Sequence, residues 1–280
     1  MEWRGRRGSG NIEDRRRMSG GRAVGVGGIG AVVVLLLGMF LGVDLSPILQ
    51  NQPVSNGTPG EITAADQEAG QFVSVTLADT EEVWAKVFQE QLGRQYTPAT
   101  LVLFKGVTQS PCGGASGATG PFYCPIDRKV YLDTDFFATL EQRLGAGGDF
   151  AAAYVVAHEI GHHVQDELGI LAKTMQVRQQ VSEAESNEIS VRVELQADCL
   201  SGIWARQASE SFGSIEPGDF DEALNAARQI GDDTLQRNAG QRPMPHTFTH
   251  GTSEQRQHWF YTGLQSGQIA DCDTFSTDQL

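Results

Sequence analysis

The stretch YVVAHEIGHHVQDELG, residues 154–169, contains three of the six histidines in this 280-residue chain. His158 and His162 are four positions apart, so on a helix both imidazoles project from one face and can bind one metal ion. Glu159 lies beside them and completes the pattern H-E-x-x-H. His163 points about 100° away around the helix, and we expect it to pack or to form hydrogen bonds. The pattern predicts a helix with two zinc ligands and a neighbouring carboxylate.

A catalytic zinc site usually has three protein ligands, so the third must come from elsewhere in the chain. One common extension of H-E-x-x-H needs a histidine at position 168, where this chain has Leu168. The other takes a glutamate from a following helix, and VELQADCLSG offers Glu194 with Asp198 one turn further. We predict that Glu194 binds the zinc and that Asp198 accepts the free N–H of a zinc-binding histidine. The alternative, an ordinary solvated acidic face, stays open at this stage.

These residue types predict zinc-dependent hydrolysis of peptide bonds. Zinc would lower the pKa of its bound water toward ~7, and Glu159 would take the proton as general base. The oxyanion that forms needs a second electrophile, for which His250 is the first candidate, with His246 and Tyr123 behind it. The run KVYLD could pair with an extended substrate if it lies at a sheet edge. Two alternatives remain: a non-catalytic zinc-containing binding or scaffold protein, and a zinc hydrolase of non-peptide amides.

The elements around this site predict an α+β fold that is mostly helical. Apolar periodicity and capping residues indicate helices from Asp79 or Thr80, from about 135, over 149–168, and near 186–207, 218–230 and 253–265. The runs TLVLF and KVYLD are rich in strand-forming residues and would make a small antiparallel sheet beside the histidine helix. Ala197, Ser201 and Gly202 are small and would permit close packing of the helix that carries Glu194.

The amino-terminal part of the chain has an unusual charge distribution. The net charge of −14 argues against a nucleic-acid partner, yet residues 1–22 contain seven arginines and three acidic residues. Residues 23–43 carry no charge and are long enough for a transmembrane helix. We therefore expect a cytoplasmic head (1–22), a single membrane crossing (23–43), a linker (44–76) and an extracytoplasmic domain (77–280) at the bacterial cytoplasmic membrane. Gly38 and Gly42 form G-x-x-x-G and allow a homodimer through that helix.

All four cysteines follow the apolar run, where an oxidising compartment is expected, and an even number there suggests disulfides. Cys112 and Cys124 would close a short glycine-rich loop, which leaves Cys199 to pair with Cys272. A cysteine zinc site is the weaker alternative because no C-x-x-C spacing occurs in the chain.

Several blocks of the chain are similar to one bacterial family, the membrane-anchored neutral zinc metallopeptidases. These blocks are NIEDRR, CGGASGATGPFYCP, HEIGHHVQ, ELQADC and FTHGTSEQR, and they extend over nearly the whole chain. The resemblance implies a zincin-like domain with zinc as the cofactor and a peptide or protein as the substrate. It implies that His158, His162 and Glu194 are the zinc ligands and that Glu159 is the catalytic glutamate.

Overall fold

The computed structural model describes residues 1–17, 62–116, 120–277 and 279–280. Within these ranges, no helix is both long and apolar enough to cross a membrane. The predicted transmembrane segment, residues 23–43, and its Gly38 and Gly42 lie outside the described residues. Membrane attachment through that segment therefore stays a prediction.

The first long helix, α1 (Ala64–Val87), begins inside the stretch that the sequence predicts as linker. Its start is a capping box, because the Thr63 hydroxyl accepts from the Asp66 backbone N–H at 3.1 Å and the Asp66 carboxylate accepts from the Thr63 N–H at 2.9 Å. The helix runs on through a wider turn, Phe88–Leu92, and ends at Gly93 in the left-handed conformation. The predicted helix start at Asp79 or Thr80 is wrong. The first turns of α1 are rich in polar residues, so the regular spacing of apolar residues that indicates a helix is not evident there.

A four-stranded mixed sheet packs beside the helices. Its strand order is β1, β2, β6, β5, and β2 is parallel to both of its neighbours while β5 is antiparallel to β6. These strands are β1 (Ile12–Asp14), β2 (Thr100–Phe104), β5 (Phe122–Cys124) and β6 (Lys129–Asp133). A separate antiparallel hairpin lies between them in sequence, with strands β3 (Val107–Ser110) and β4 (Gly113–Ser116).

The predicted antiparallel sheet of TLVLF and KVYLD is wrong in direction, because these two runs are β2 and β6 and they pair in parallel. The reason is β5, which lies between these two runs in sequence and turns tightly into β6, so that β5 is the antiparallel neighbour of β6 and β2 pairs with its other side in parallel. KVYLD consequently lies inside the sheet, and β5 forms the edge on that side.

Strand β1 belongs to residues 1–17, which the sequence predicts as a head apart from the domain. Leu101 donates its backbone N–H to the Asn11 carbonyl at 2.9 Å, and Arg15 donates to the Leu103 carbonyl at 2.7 Å. Met1 and Trp3 are about 5% and 4% exposed and join the main apolar core. These residues are therefore packed on the domain and extend its sheet.

The helical layer confirms the mostly helical α+β fold. Helices predicted near 135, 149–168, 186–207, 218–230 and 253–265 are all present within a few residues of their expected ends, whereas two short helices are additional. The seven helices after the sheet are α2 (Phe136–Gln142), α3 (Asp149–Glu167), α4 (Ile170–Arg178), α5 (Glu183–Phe212), α6 (Asp219–Gln229), α7 (Asp232–Asn238) and α8 (Ser253–Ser266), with short 3₁₀ turns at Pro245–Thr247 and Ile269–Cys272.

Helices α3, α5 and α8 approach one another so closely that glycine is needed at their contacts. A Cβ added at Gly263 of α8 would lie 1.8 Å from the Cys199 carbonyl oxygen, and one added at Gly202 of α5 would lie 2.0 Å from the Phe260 carbonyl oxygen. A Cβ at Gly161 of α3 would lie 2.9 Å from the Ala197 carbonyl oxygen. This backbone-to-backbone packing holds α3 and α8 on either side of the α5 segment that contains Glu194 and Asp198.

Both predicted disulfides are present. Cys112 pairs with Cys124 and joins the β3–β4 hairpin to the edge strand β5. Cys199 pairs with Cys272 and joins the middle of α5 to the 3₁₀ turn near the carboxyl end of the chain.

Candidate metal centre and active site

Two turns of α3 and one turn of α5 bring three metal-binding side chains together. The Glu194 carboxylate lies 3.1 Å from His158 Nε2 and 3.5 Å from His162 Nε2. All three donor atoms lie within 4.8 Å of one another. Tetrahedral zinc with bonds of about 2.1 Å separates its donors by about 3.4 Å, so these distances fit a zinc ion held by the three residues.

The negative charge of Glu194 favours a cation at this position. Burial alone would raise the pKa of Glu194, but His162 and His250 hold it well below its ordinary value, so the group is a carboxylate. Burial alone would lower the pKa of His158, but Asp198 and Glu194 raise it to about 10. A bound metal ion would have to displace the proton of this imidazole.

Asp198 orients the first histidine, as the sequence predicts. Its Oδ1 lies 2.8 Å from His158 Nδ1, which leaves Nε2 directed at Glu194. Asp198 is fully buried and its charge is balanced by Arg256 of α8, whose Nε donates to Oδ2 at 2.8 Å and whose Nη2 donates to Oδ1 at 3.0 Å. The Tyr154 hydroxyl donates to the same carboxylate. A buried Arg–Asp–His chain therefore fixes the ring and its tautomer.

Gln165 orients the second histidine. Its Oε1 lies 2.9 Å from His162 Nδ1, while its amide nitrogen donates to the Val193 carbonyl and to Gln196 at 2.8 and 3.0 Å. These two acceptors fix which end of the buried amide faces the ring. His162 is thus held by α3 and α5 together.

Glu159 is not one of the three clustered donors but lies beside them, about 7% exposed, in the wall of the same cleft. Burial raises its pKa, and the charges of His162 and His158 oppose the rise. A carboxyl group with a raised pKa can accept and return a proton near neutral pH.

His250 faces the cleft from the loop between α7 and α8. Asp232 fixes this loop because its Oδ2 accepts the backbone N–H groups of Thr249, His250 and Gly251 at 2.8, 2.6 and 3.1 Å. The imidazole Nδ1 lies 3.3 Å from Asp232 Oδ1. Burial would lower the pKa of His250, but Glu194 and Asp232 raise it above its ordinary value. The ring is therefore a good hydrogen-bond donor at neutral pH.

The other histidines and Tyr123 have different surroundings. His163 is 1% exposed, and its ring nitrogens lie 2.7 Å from the Thr97 carbonyl and 3.1 Å from the Tyr123 hydroxyl, which confirms a packing role. The Tyr123 hydroxyl donates to Asp166 at 2.9 Å. His246 is exposed in the Pro245–Thr247 turn. Of the three predicted electrophiles, His250 is the one whose side chain interacts electrostatically with Glu194.

Comparison with protein families matches residues 1–275 to the family described as "Putative neutral zinc metallopeptidase". The chain belongs to this family. It is 46% identical over 285 residues to the uncharacterized protein YpfJ of Escherichia coli K12, which covers 98% of this chain and 99% of that protein. It is 42% identical over 258 residues to an uncharacterized protein of Mycobacterium bovis, with 86% of each chain covered. No solved structure matches.

The match confirms the resemblance seen in the sequence, and zinc in the family description agrees with the donor set of His158, His162 and Glu194. The cleft of this zinc metallopeptidase family member is largely apolar away from the metal centre. Edge strand β5 lines the cleft with Phe122 and Tyr123, and α4 lines it with Leu171 and Met175.

A second group of acidic residues lies at the amino end of α3. Asp149, Asp219 and Glu222 bring their carboxylates within 4.8 Å of one another. The Met1 amino group lies among them, 2.6 Å from Asp149 and 3.2 Å from Asp219. The positive charge of this amino group therefore balances part of the negative charge of the cluster.

Sequence reasoning predicted the three residues that cluster here but missed the residues that hold them. Tyr154 and Gln165 could have been found, because they lie four positions before His158 and three positions after His162 on the same helix. Arg256 and Asp232 carry no such local signal, since they reach the site from helices α8 and α7, far away in sequence.

Proposed function

We propose that this protein is a zinc-dependent endopeptidase that cleaves peptide or protein substrates. The observation that carries the proposal is the donor set of His158, His162 and Glu194 beside Glu159 in a cleft. Among the described residues the cluster has three protein donors, which is typical of catalytic zinc, whereas structural zinc usually has four.

The chain's own residues divide the work of hydrolysis. Zinc held by this donor set would supply Lewis acidity and would lower the pKa of a water molecule toward neutrality. Glu159 takes the proton of the attacking water and passes it to the leaving amine. His250 donates a hydrogen bond to the oxyanion, and Asp232 holds that imidazole in place. Asp198 and Gln165 keep the two histidines in the orientation that binding requires.

The edge of the sheet supports a peptide as the substrate. Among the residues that the structure describes, strand β5 pairs with β6 on one side only, and its Phe122 and Tyr123 line the cleft. A free strand edge can pair with an extended backbone, which positions a peptide bond without selecting particular side chains. Apolar residues of α4, among them Leu171 and Met175, would contact apolar side chains of the substrate.

The test compares the full chain with Glu159→Gln, using the exposed Glu90→Gln as the matched control. We measure bound zinc and the cleavage of casein and of a peptide library. The native chain and the control should bind about one zinc and cleave, while Glu159→Gln should keep its zinc and lose roughly 10²–10⁴-fold in rate. Zinc in all three proteins with cleavage in none would contradict the proposal and favour a non-catalytic scaffold. Cleavage of amides other than peptides would assign a different hydrolase.

A further inference from the structure

Residues 1–17, which we name the amino-terminal arm, pack on the domain at a distance from the cleft. Trp3 is 4% exposed and meets the ring of Phe72 in α1 edge to face, with 5.5 Å between the ring centroids. Phe72 in turn contacts the ring of Phe137 at 5.9 Å. An indole buried among core aromatic rings stabilises the contact through its large apolar area.

Arg6 fastens the arm to two helices. Its guanidinium donates two hydrogen bonds to Asp79 of α1, at 2.5 and 2.8 Å, and one to Ser214 at 3.1 Å. It also lies over the ring of Phe212, 4.6 Å from the centroid, at the end of α5. Asp79 is only 4% exposed, so its carboxylate depends on this cation.

The remainder of the arm completes the sheet. Strand β1 pairs in parallel with β2 from Ile12 to Asp14, and Lys129 of β6 reaches across to Glu13 with 2.6 Å between Nζ and Oε2. The pairing covers the edge of β2 that would otherwise be open to other chains.

The end of the arm, at residue 17, lies close to residue 62, where the described part of the chain resumes. The Arg16 guanidinium donates to the Asp66 carbonyl, close to the start of α1, and lies against Gly70 of the next turn. Arg4 forms an ion pair with Glu68 on the same helix. Residues 17 and 62 thus lie on one face of the domain.

We propose that the amino-terminal arm is an integral part of the metallopeptidase domain of its own chain and lies on the same side of any membrane as the cleft. This placement differs from the prediction that the arginine-rich head lies across a membrane from the domain, and the predicted membrane segment 23–43 lies outside the described residues. The placement of the arm does not depend on whether the chain cleaves peptides.

A cysteine pair can test the position of the arm in the full chain. A Cβ added at Gly8 would lie 3.3 Å from Ser74 Cβ of α1, slightly closer than the usual Cβ separation in a disulfide, so Gly8→Cys with Ser74→Cys should cross-link after a small adjustment. The matched control is Gly10→Cys with Ser74→Cys, because a Cβ at Gly10 has no neighbour within 4 Å. Trypsin digestion and mass spectrometry without reductant identify the linked peptides, in purified protein and in intact cells.

A cross-link within one chain for the Gly8 pair and none for the Gly10 pair is the expected result, both in purified protein and in intact cells. Absence of the Gly8 cross-link in purified protein or in cells would overturn the proposal. A cross-link between two chains, seen as a species of doubled mass, would also overturn it, since the arm would then belong to a second copy.

A second comparison does not rely on new cysteines. Arg6→Ala should lower the melting temperature of the full chain by several degrees because it leaves the buried Asp79 without its cation. Arg7→Ala is the matched control, since Arg7 is 63% exposed and lies 3.9 Å from the exposed Glu82. Equal melting temperatures for the two variants would contradict an integral arm.

Discussion

Each histidine of the candidate site is held by a partner on the side of the ring that faces away from the cleft. Asp198 holds His158, Gln165 holds His162, and Asp232 holds His250. The clustering of His158 with His162 could be predicted from sequence because an i, i+4 pair on one helix is a local pattern. The contact of Arg256 with Asp198 could not be predicted, because nothing in the residues around Arg256 indicates that its side chain binds Asp198.

Arg256 should control how well the site binds zinc. Arg256→Lys loses the forked contact with both oxygens of Asp198, so His158 is held less firmly and zinc affinity should fall about 10–100-fold. Competition with a chromogenic chelator measures this affinity. Arg143→Lys, at an exposed position directly after α2, should leave it unchanged. An unaltered zinc affinity in Arg256→Lys would show that Asp198 needs no fixed cation.

His250 should affect the catalytic rate and not the binding of zinc. His250→Ala should lower kcat about 10²–10³-fold, the usual effect of removing an oxyanion donor, while the zinc content stays the same. Steady-state kinetics with a fluorogenic peptide, together with metal analysis, separates the two effects. His246→Ala is the control, because His246 is exposed in its 3₁₀ turn. A similar loss of rate in both variants would remove His250 from the mechanism.

At the scale of elements, glycines determine how closely the helices approach. The small residues around Asp198 led to a correct expectation of tight packing at Ala197 and Gly202. The sequence could not predict whether neighbouring strands are parallel or antiparallel. Strand propensity reports how well a residue suits a pleated surface and carries no information about the direction of the neighbouring strand. The start of α1 was missed for a similar reason, since composition marks residues 64–76 as polar while their packing buries Phe72 and Val73.

The contact between α5 and α8 should tolerate no side chain at Gly263. Gly263→Ala places a Cβ 1.8 Å from the Cys199 carbonyl oxygen, so α8 must move away and carry Arg256 with it. We expect a loss of about 1–3 kcal/mol in the free energy of unfolding, measured by denaturant titration, and weaker zinc binding. Gly114→Ala in β4 has no close neighbour and should change neither quantity. Normal stability in Gly263→Ala would mean that the two helices can separate freely.

At the scale of the whole molecule, two disulfides connect distant parts of the fold. The Cys199–Cys272 bond spans 73 positions and attaches the carboxyl end of the chain next to Asp198, whereas the Cys112–Cys124 bond spans 12. The pairing could be predicted because only one division of four cysteines closes a short turn. The structural importance of the longer bond could not be predicted from the sequence, since it depends on where α5 lies in the fold.

Removing the longer disulfide should cost more stability than removing the shorter one. Loop-closure entropy gives about 4 kcal/mol for Cys199→Ala with Cys272→Ala and about 3 kcal/mol for Cys112→Ala with Cys124→Ala. Denaturant titration of the two double variants measures the difference. Zinc binding should weaken in the first variant only, because Cys199 directly follows Asp198. The opposite order of stabilities would show that the carboxyl end is held by its other contacts.

Strand β1 has a consequence for the order of events during synthesis. Ile12 pairs with Leu101, so the ribosome must add about 90 residues before the first strand can meet its partner. At roughly 5–20 residues per second this takes several seconds, during which Trp3 and the strand edge stay exposed. Parallel pairing between distant segments is also slow in itself. The arm is synthesised first but packs on the domain late. Its apolar residues and strand edge therefore need to be shielded by other molecules until β1 can pair with β2.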